Sequence, residues 1–306
     1  MTFALIPFED GEKHLHWMGL CAAFETGLSL ARADISDTFL YREKDTLLSR
    51  AAWIDGMGLA VKSATVFPGN PSHGKPMING AVCVFSDGDG RLEAVIDFHL
   101  VTKWKTAGDS LFAATRLARP DSREVLIVGA GTVGRALFSA YSTAFPNARF
   151  RIWNRTLENA EKMAVDCDGL EVAEDLEAAV QNADIVTSAT MSSEPVLKGA
   201  WLQPGQHIDL IGAYRPDMRE VDDAALLRAS VFVDSYDTTL GHIGELKIPL
   251  ENGVITRDHI RADYYDAGAF RRTSPDEITL FKNGGGAHLD LMTSRYILDA
   301  WQAAQV

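Results

Sequence analysis

The pattern of apolar and polar positions divides the chain into two kinds of element. Up to about residue 118 the apolar residues fall in short runs between helices. Glu12 to Ala33 is helix-like, with Leu20, Phe24 and Leu28 at i, i+4 spacing. Asp34 to Tyr41 reads as a polar connection ending in a short apolar pair. Strand-like pieces follow around Gly56 and Gly58, between Ala51 and Val66. Pro68, Gly69, Asn70, Pro71 and Gly74 then make a loop. Gly80 to Phe85 and Leu92 to Leu100 are β-rich runs joined by Ser86-Asp87-Gly88-Asp89-Gly90, a hairpin signal. Thr106 to Arg119 predicts an alanine-rich helix that leads into the linker Pro120-Asp121-Ser122. The expectation for this part is mostly antiparallel β structure with flanking helices.

From Ser122 onward strands and helices alternate. Val125-Leu126-Ile127-Val128 is a continuous apolar run, as a parallel strand covered on both faces requires. Ala148 to Trp153, Ala183 to Thr190, His207 to Gly212 and Val231 to Val233 read as further strands. Leu157 to Val165 and Leu176 to Gln181 read as helices between them. This alternation predicts an α/β fold, a Rossmann-type doubly wound parallel sheet. Ile278 to Gln305 reads as a short strand, a turn at Gly284-Gly285-Gly286 and a helix from Leu289 to Ala303. The pattern leaves open whether that segment closes the second domain or returns to the first.

Within this pattern Gly129, Gly131 and Gly134 give G-x-G-x-x-G, between a strand and a helix with a second strand beyond. That context predicts a dinucleotide site at Gly129, Gly131, Thr132, Val133 and Gly134, with the pyrophosphate on backbone N–H groups at the helix start. In such a unit an acid at the end of the second strand accepts the ribose hydroxyls. Here that strand ends in Ile152-Trp153 and continues Asn154-Arg155-Thr156, with no carboxylate. One cation between an amide and a hydroxyl suits a 2′-phosphate, so NADP(H) is expected over NAD(H). The plainer reading of Arg155 is a surface residue stacking on the adenine of either cofactor.

Composition narrows the partners. The 306 residues carry a net charge of −13, which gives no electrostatic footprint for nucleic acid and still allows a locally basic pocket for an anion. Cys21, Cys83 and Cys167 show no C-x-x-C spacing and read as buried thiols of a reducing compartment. The N-terminus has no basic segment followed by a long apolar core, and no apolar run approaches the roughly 20 residues of a membrane span. A cytoplasmic protein with no membrane partner is expected. The histidines show no metal-ligand spacing, so no metal site is expected.

Three cations stand outside ordinary solvated faces. Arg42 follows Phe39-Leu40-Tyr41, Lys62 lies inside a strand-like run, and Lys105 precedes Thr106-Ala107 at the expected helix start. Each alone is explained by a snorkelling side chain. Together, in an acidic chain with a hydride-carrying cofactor, they suit a clamp on a carboxylate, and a desolvated lysine can serve as an acid near neutral pH.

These motifs resemble the ornithine cyclodeaminase/mu-crystallin family. The resemblance rests on VKSATVFPGN around Lys62, on Lys105-Thr106-Ala107, on VGAGTVGRA, and on IWNRTLENAEKMA. It continues through Ala183-Asp184-Ile185-Val186 to Thr190, HIDLIGAYRPDMREVD and ITLFKNGGGAHLDL, and so covers nearly the whole chain. It implies a homodimer, with a mixed α+β substrate and dimerisation domain over residues 1–118, to which 285–306 return. The Rossmann domain then spans 119–284. It also implies hydride transfer between a nicotinamide and the α-carbon of an amino or imino acid. Lys62 matches the family's carboxylate-binding lysine and candidate proton donor. Arg42 lies where the family has a carboxylate-binding arginine. Lys105 replaces the arginine of an R-T-A motif, keeping the charge and losing the bidentate fork. Thr106 matches a threonine near the cofactor phosphates, and Thr190 and Met191 fall beside the nicotinamide ribose. Asp290 aligns with a recurring family acid, which helix capping explains equally well.

One departure separates branches of the family. Members that cyclise ornithine carry an aspartate where this chain has Tyr214. A phenol, with a reference pKa of about 10, supplies no carboxylate charge at neutral pH. The resemblance therefore points to the imine-reducing branch, with cyclic substrates such as Δ1-pyrroline-2-carboxylate or Δ1-piperideine-2-carboxylate first. Acyclic imines, as in an alanine dehydrogenase or iminosuccinate reductase, come second. Ornithine cyclodeaminase activity and non-catalytic NADPH binding are the remaining alternatives.

Overall fold

The computed structural model describes residues 3–305 and divides into two compact units, Met1–Lys105 with Gly286–Val306, and Thr106–Gly285. The sequence reading placed the boundaries at 118/119 and 284/285. The first lies instead inside a continuous helix, because the polar linker after residue 119 marks where that helix stops and not where the packing changes.

The first unit runs β1 (Ala4–Ile6), α1 (Phe8–Glu12), α2 (Trp17–Leu28), β2 (Asp34–Arg42), β3 (Asp45–Ile54), β4 (Gly58–Val66), β5 (Ile78–Phe85) and β6 (Leu92–Asp97). Its sheet has the order β1-β6-β5-β4-β3-β2, antiparallel except for the parallel pair β1–β6. Asp34 to Arg42, expected as a connection, is a nine-residue strand. All nine positions are exposed, so no face of it alternates with burial, and the pairing with β3 defines the strand instead. β4 does alternate, with Gly58, Ala60, Lys62 and Ala64 buried.

The helix α3 spans Phe98–Leu117, eight residues longer at its start than the reading from Thr106. The second unit continues with β7 (Glu124–Val128), α4 (Thr132–Ala144), β8 (Arg149–Trp153), α5 (Leu157–Asp166), β9 (Leu170–Val172), α6 (Leu176–Asn182), β10 (Ile185–Ser188) and β11 (His207–Leu210). Then come α7 (Asp223–Arg228), β12 (Ser230–Val233), α8 (Tyr236–Thr239), α9 (Gly244–Glu251), β13 (Ile260–Ala262) and β14 (Thr279–Lys282). The eight strands form one parallel sheet in the order β13-β12-β14-β11-β10-β7-β8-β9. Chain order reverses between β7 and β10, the topological switch point beside which such sheets bind ligands at the carboxyl ends of the strands. The C-terminal segment does both things the sequence left open. β14 inserts between β11 and β12, whereas α10 (Ala287–Ala303) belongs to the first unit and packs on β2, β3, β4, β5 and α2. The first half of α10 is buried on every side. His288 and Asp290 are therefore polar groups inside a core.

Candidate active site

In the first unit Lys62 faces the sheet's buried side because it shares the phase of Ala60 and Ala64, whose small side chains leave room for a long one. Its Nζ donates to Asp290 Oδ1 at 2.8 Å and lies 4.7 Å from the centre of the Phe98 ring. Both partners are buried, Lys62 at 7% exposure and Asp290 at 2%. Burial pushes the lysine down to about 8, against the pull of Asp290, and the neighbouring Lys105 and Arg50 lower it further. For Asp290 burial acts in the opposite sense, yet Lys62, Lys105 and Arg50 together hold its carboxyl below the ordinary range.

Lys105 is not at a helix start. It sits well inside α3 and is 7% exposed. Arg42 is not with the other cations: it closes the β2–β3 hairpin, pairs with Asp45 at 2.7 Å, and its side chain is 77% exposed. The arginine beside Lys62 is Arg50, its direct partner across β3 and β4. Arg50 is directly opposite Asp37 of β2 on its other side, and its Nε and Nη2 donate to that carboxylate at 2.8–3.2 Å. Lys62, Lys105 and Arg50 gather around Asp290, with Asp37 paired to Arg50 from the next strand. Like charges directly opposite on a sheet are destabilising. An Arg50–Lys62 row is therefore suited to an anion that binds both.

In the second unit the glycine turn lies at the carboxyl end of β7. Gly129 has φ of +112° and donates its N–H to Trp153 O at 2.9 Å. A Cβ at Gly134 would collide with the Gly129 carbonyl, so only glycine lets α4 approach this closely. At Gly131, the residue before α4, a Cβ would meet nothing within 4 Å, and no side chain caps the helix. Thr132 is exposed and Val133 half-buried. An open cradle with uncapped helical N–H groups fits a dinucleotide pyrophosphate.

At the end of β8, Asn154 Oδ1 accepts the Ala130 N–H at 3.1 Å and its Nδ2 donates to Thr156 O at 2.8 Å. Asn154 therefore fixes the glycine turn from the second strand, and Arg155 and Thr156 are the exposed groups there. Thr106 is half-buried within α3, and its carbonyl accepts from Asn283 Nδ2 at 3.2 Å. Thr190 follows β10 and donates its N–H and hydroxyl to Glu220 Oε1, while Met191 is 75% exposed. Tyr214 is 59% exposed. Apart from Thr106 in α3, the cofactor candidates of the second unit lie at the ends of β7, β8 and β10. Arg50 in the first unit and Glu220 in the second were not singled out in the sequence, whereas Asp290 was, as a family acid that helix capping explains equally well. Arg50 needed the hairpin register, and Asp290 lies 228 positions from Lys62.

The ornithine cyclodeaminase/mu-crystallin family model matches residues 51–305. A Δ1-pyrroline-2-carboxylate reductase of Paracoccus denitrificans is similar at 50% identity over 300 residues, covering 95% of each chain. Among solved structures, the Δ1-pyrroline-2-carboxylate reductase of Thermococcus litoralis in complex with NADH and L-proline has a TM-score of 0.91 at 27% identity and 99% coverage of both chains. An archaeal alanine dehydrogenase dimer with bound NAD has a TM-score of 0.90 at 26% identity, covering 100% of this chain and 98% of its own.

Proposed function

The chain belongs to the ornithine cyclodeaminase/mu-crystallin family, and on that premise we propose that it reduces small cyclic α-imino acids to L-amino acids. Δ1-Pyrroline-2-carboxylate is the first substrate and Δ1-piperideine-2-carboxylate the second. The observation that carries the reading is the buried Lys62–Asp290 pair with Lys105 and Arg50 around it: a cluster of three cations in a chain of net charge −13.

The cofactor is a nicotinamide dinucleotide, which supplies the hydride when bound. The turn at Gly129, Gly131, Thr132, Val133 and Gly134 would hold its pyrophosphate, Thr106 would serve the phosphates, and Thr190 and Met191 would serve the nicotinamide ribose. Arg155, with Thr156 beside it and no carboxylate at the end of β8, favours the 2′-phosphate of NADP(H) over NAD(H). Reduction of a C=N bond takes up one hydride at carbon and one proton at nitrogen. Lys62 serves the substrate in two ways, as a cation for its carboxylate and as the source of the proton. Together with Lys105 and Arg50 it binds the carboxylate. With its pKa brought down to about 8, its ammonium gives up a proton to the ring nitrogen far more readily than an ordinary lysine. Asp290 keeps Lys62 aimed and partly offsets the cost of burying it. Arg42, exposed on its hairpin, stays outside this set.

Tyr214 supports reduction over cyclodeamination. A phenol there supplies no carboxylate for the amine and the departing ammonia that ornithine cyclisation requires. We also assign a homodimer. β2 leaves its outer edge unpaired, and Ile35, Phe39, Leu40 and Tyr41 along it are exposed, a surface that a second copy covers.

The test is NADPH and NADH oxidation against Δ1-pyrroline-2-carboxylate, Δ1-piperideine-2-carboxylate, and 2-oxo acids with ammonia or methylamine. The cyclic imines should give the highest kcat/KM. A higher value for pyruvate with ammonia would move the assignment to an amino-acid dehydrogenase. Ammonia release from L-ornithine without net cofactor reduction would move it to a cyclodeaminase.

A further inference from the structure

Beside the glycine turn, the parallel sheet ends in two further turns whose backbones touch. A Cβ on Gly129 would lie 2.9 Å from Ala189 O, and one on Gly212 would collide with the Thr190 backbone. The turns after β7, β10 and β11 therefore form one continuous seam along the edge where doubly wound sheets bind dinucleotides.

One buried side chain holds the second and third turns in register. Glu220, in the loop after β11, is completely buried. Its Oε1 accepts from Ser188 Oγ at 2.6 Å, Thr190 N at 2.8 Å and Thr190 Oγ1 at 2.9 Å. Its Oε2 accepts from Gly212 N at 2.6 Å and Ala213 N at 3.1 Å. Five donors fill a carboxylate's acceptor capacity. Glu220 is itself fixed through its backbone: its N–H and that of Val221 donate to Glu245 at 2.7 and 3.1 Å. Burial of a carboxylate is costly unless hydrogen bonds compensate it, so Glu220 holds its five donors from the two strand ends firmly in place. That geometry has a direction. In a trans peptide the C=O points opposite to the N–H, so drawing the Gly212 and Ala213 N–H groups onto Glu220 turns the Ile211 and Gly212 carbonyls away from it. Carbonyls turned this way from the clamp are acceptors of the kind the carboxamide N–H of a nicotinamide needs, and not of the kind a phosphate needs.

We propose that Glu220 is a positioning residue for the nicotinamide half of the cofactor: by clamping the turns after β10 and β11 it sets the acceptors and the Thr190 side chain that this half meets, while the glycine turn holds the adenine half independently. The proposal rests on the nicotinamide cofactor assigned above. It goes further in dividing the two halves of that cofactor between two devices in the fold.

The experiment compares Glu220→Gln with the unsubstituted protein by fluorescence or calorimetric titration of NADPH and of 2′-phospho-ADP-ribose, which lacks the nicotinamide. An amide cannot accept from both turns, since one of its ends donates. The expected result is at least a tenfold weaker NADPH affinity, with 2′-phospho-ADP-ribose changed less than twofold. Ser188→Ala, which removes one buried hydroxyl donor to Glu220 and leaves the carboxylate, should reproduce the same split at smaller amplitude; it carries the test if Glu220→Gln does not fold. Equal weakening of both ligands, or no change in either, would overturn the proposal. Failure of the unsubstituted protein to bind either ligand would instead reject the cofactor assignment beneath it.

Discussion

At the scale of single residues, Lys62 connects burial to pH. Its pKa falls from 10.5 to about 8 because folding strips its water, more than Asp290 restores. The folded value lies below the unfolded one. The charged lysine therefore costs stability below about pH 8, and that cost is relieved as pH rises from 8 toward 10.5. Ligand binding has the opposite sense, because an anion needs the protonated form. The competitive dissociation constant of cyclopentanecarboxylate, a carboxylate without a nitrogen, should be flat below about pH 7 and rise about tenfold per pH unit above the lysine's value near 8. A flat profile to pH 10 would exclude Lys62 from the carboxylate site. Arg50 and Arg42 make a second comparison. Arg50→Gln should raise KM for the imino acid by about 10-fold or more, the scale of one charged hydrogen bond, while Arg42→Gln should leave it within about twofold. The sequence exposed Lys62 and Lys105 as misplaced charges. It named Arg42 and passed over Arg50, because Arg50 joins Lys62 only through a strand register that no local pattern around either residue encodes.

At the scale of elements, legibility followed burial. The strand Val125–Val128 and the turn after it were readable because both faces of the strand are covered and the turn needs glycine for backbone clearance. β2 was not, since an edge strand exposed along its whole length carries no inside–outside alternation. The start of α3 was missed for a related reason. Phe98-His99-Leu100-Val101 continues the apolar run of β6, and only Asp97, whose side chain accepts the His99 and Leu100 N–H groups, caps the helix there. Glu220 sits in a loop where an acid reads as solvated, yet it is buried against two turns. The end of β8 gives the element-scale prediction. With Asn154 occupied by the glycine turn, the proposed preference for a 2′-phosphate rests on Arg155. Arg155→Ala should lower the NADPH-over-NADH ratio of kcat/KM by about 10-fold, again the scale of one charged contact. An unchanged ratio, measured as initial rates with each cofactor, would remove Arg155 from the phosphate site.

At the scale of the whole molecule, two units divide the chemistry along the chain. The proposed carboxylate site draws on residues of the first unit, including Asp290 from the C-terminal helix, and the proposed dinucleotide turn belongs entirely to the second. Alternation of strands and helices disclosed the second unit from sequence. The return of α10 to the first was left undecided there, because an apolar helix after a glycine turn packs equally well in either place until its polar exceptions find partners. Asp290 finds Lys62, and this contact ties the last helix to the fourth strand. Among the described residues no helix is long and apolar enough to cross a membrane.

The central claim is that Lys62 acts on the imino acid and not on the cofactor. It is tested most directly by Lys62→Met, measuring kcat/KM for Δ1-pyrroline-2-carboxylate alongside the NADPH dissociation constant. The account predicts a loss of at least about 100-fold in turnover, the scale of removing one preorganised charged group, with NADPH affinity within about twofold of the unsubstituted protein. Retained turnover, or NADPH affinity that falls in step with it, would contradict the account.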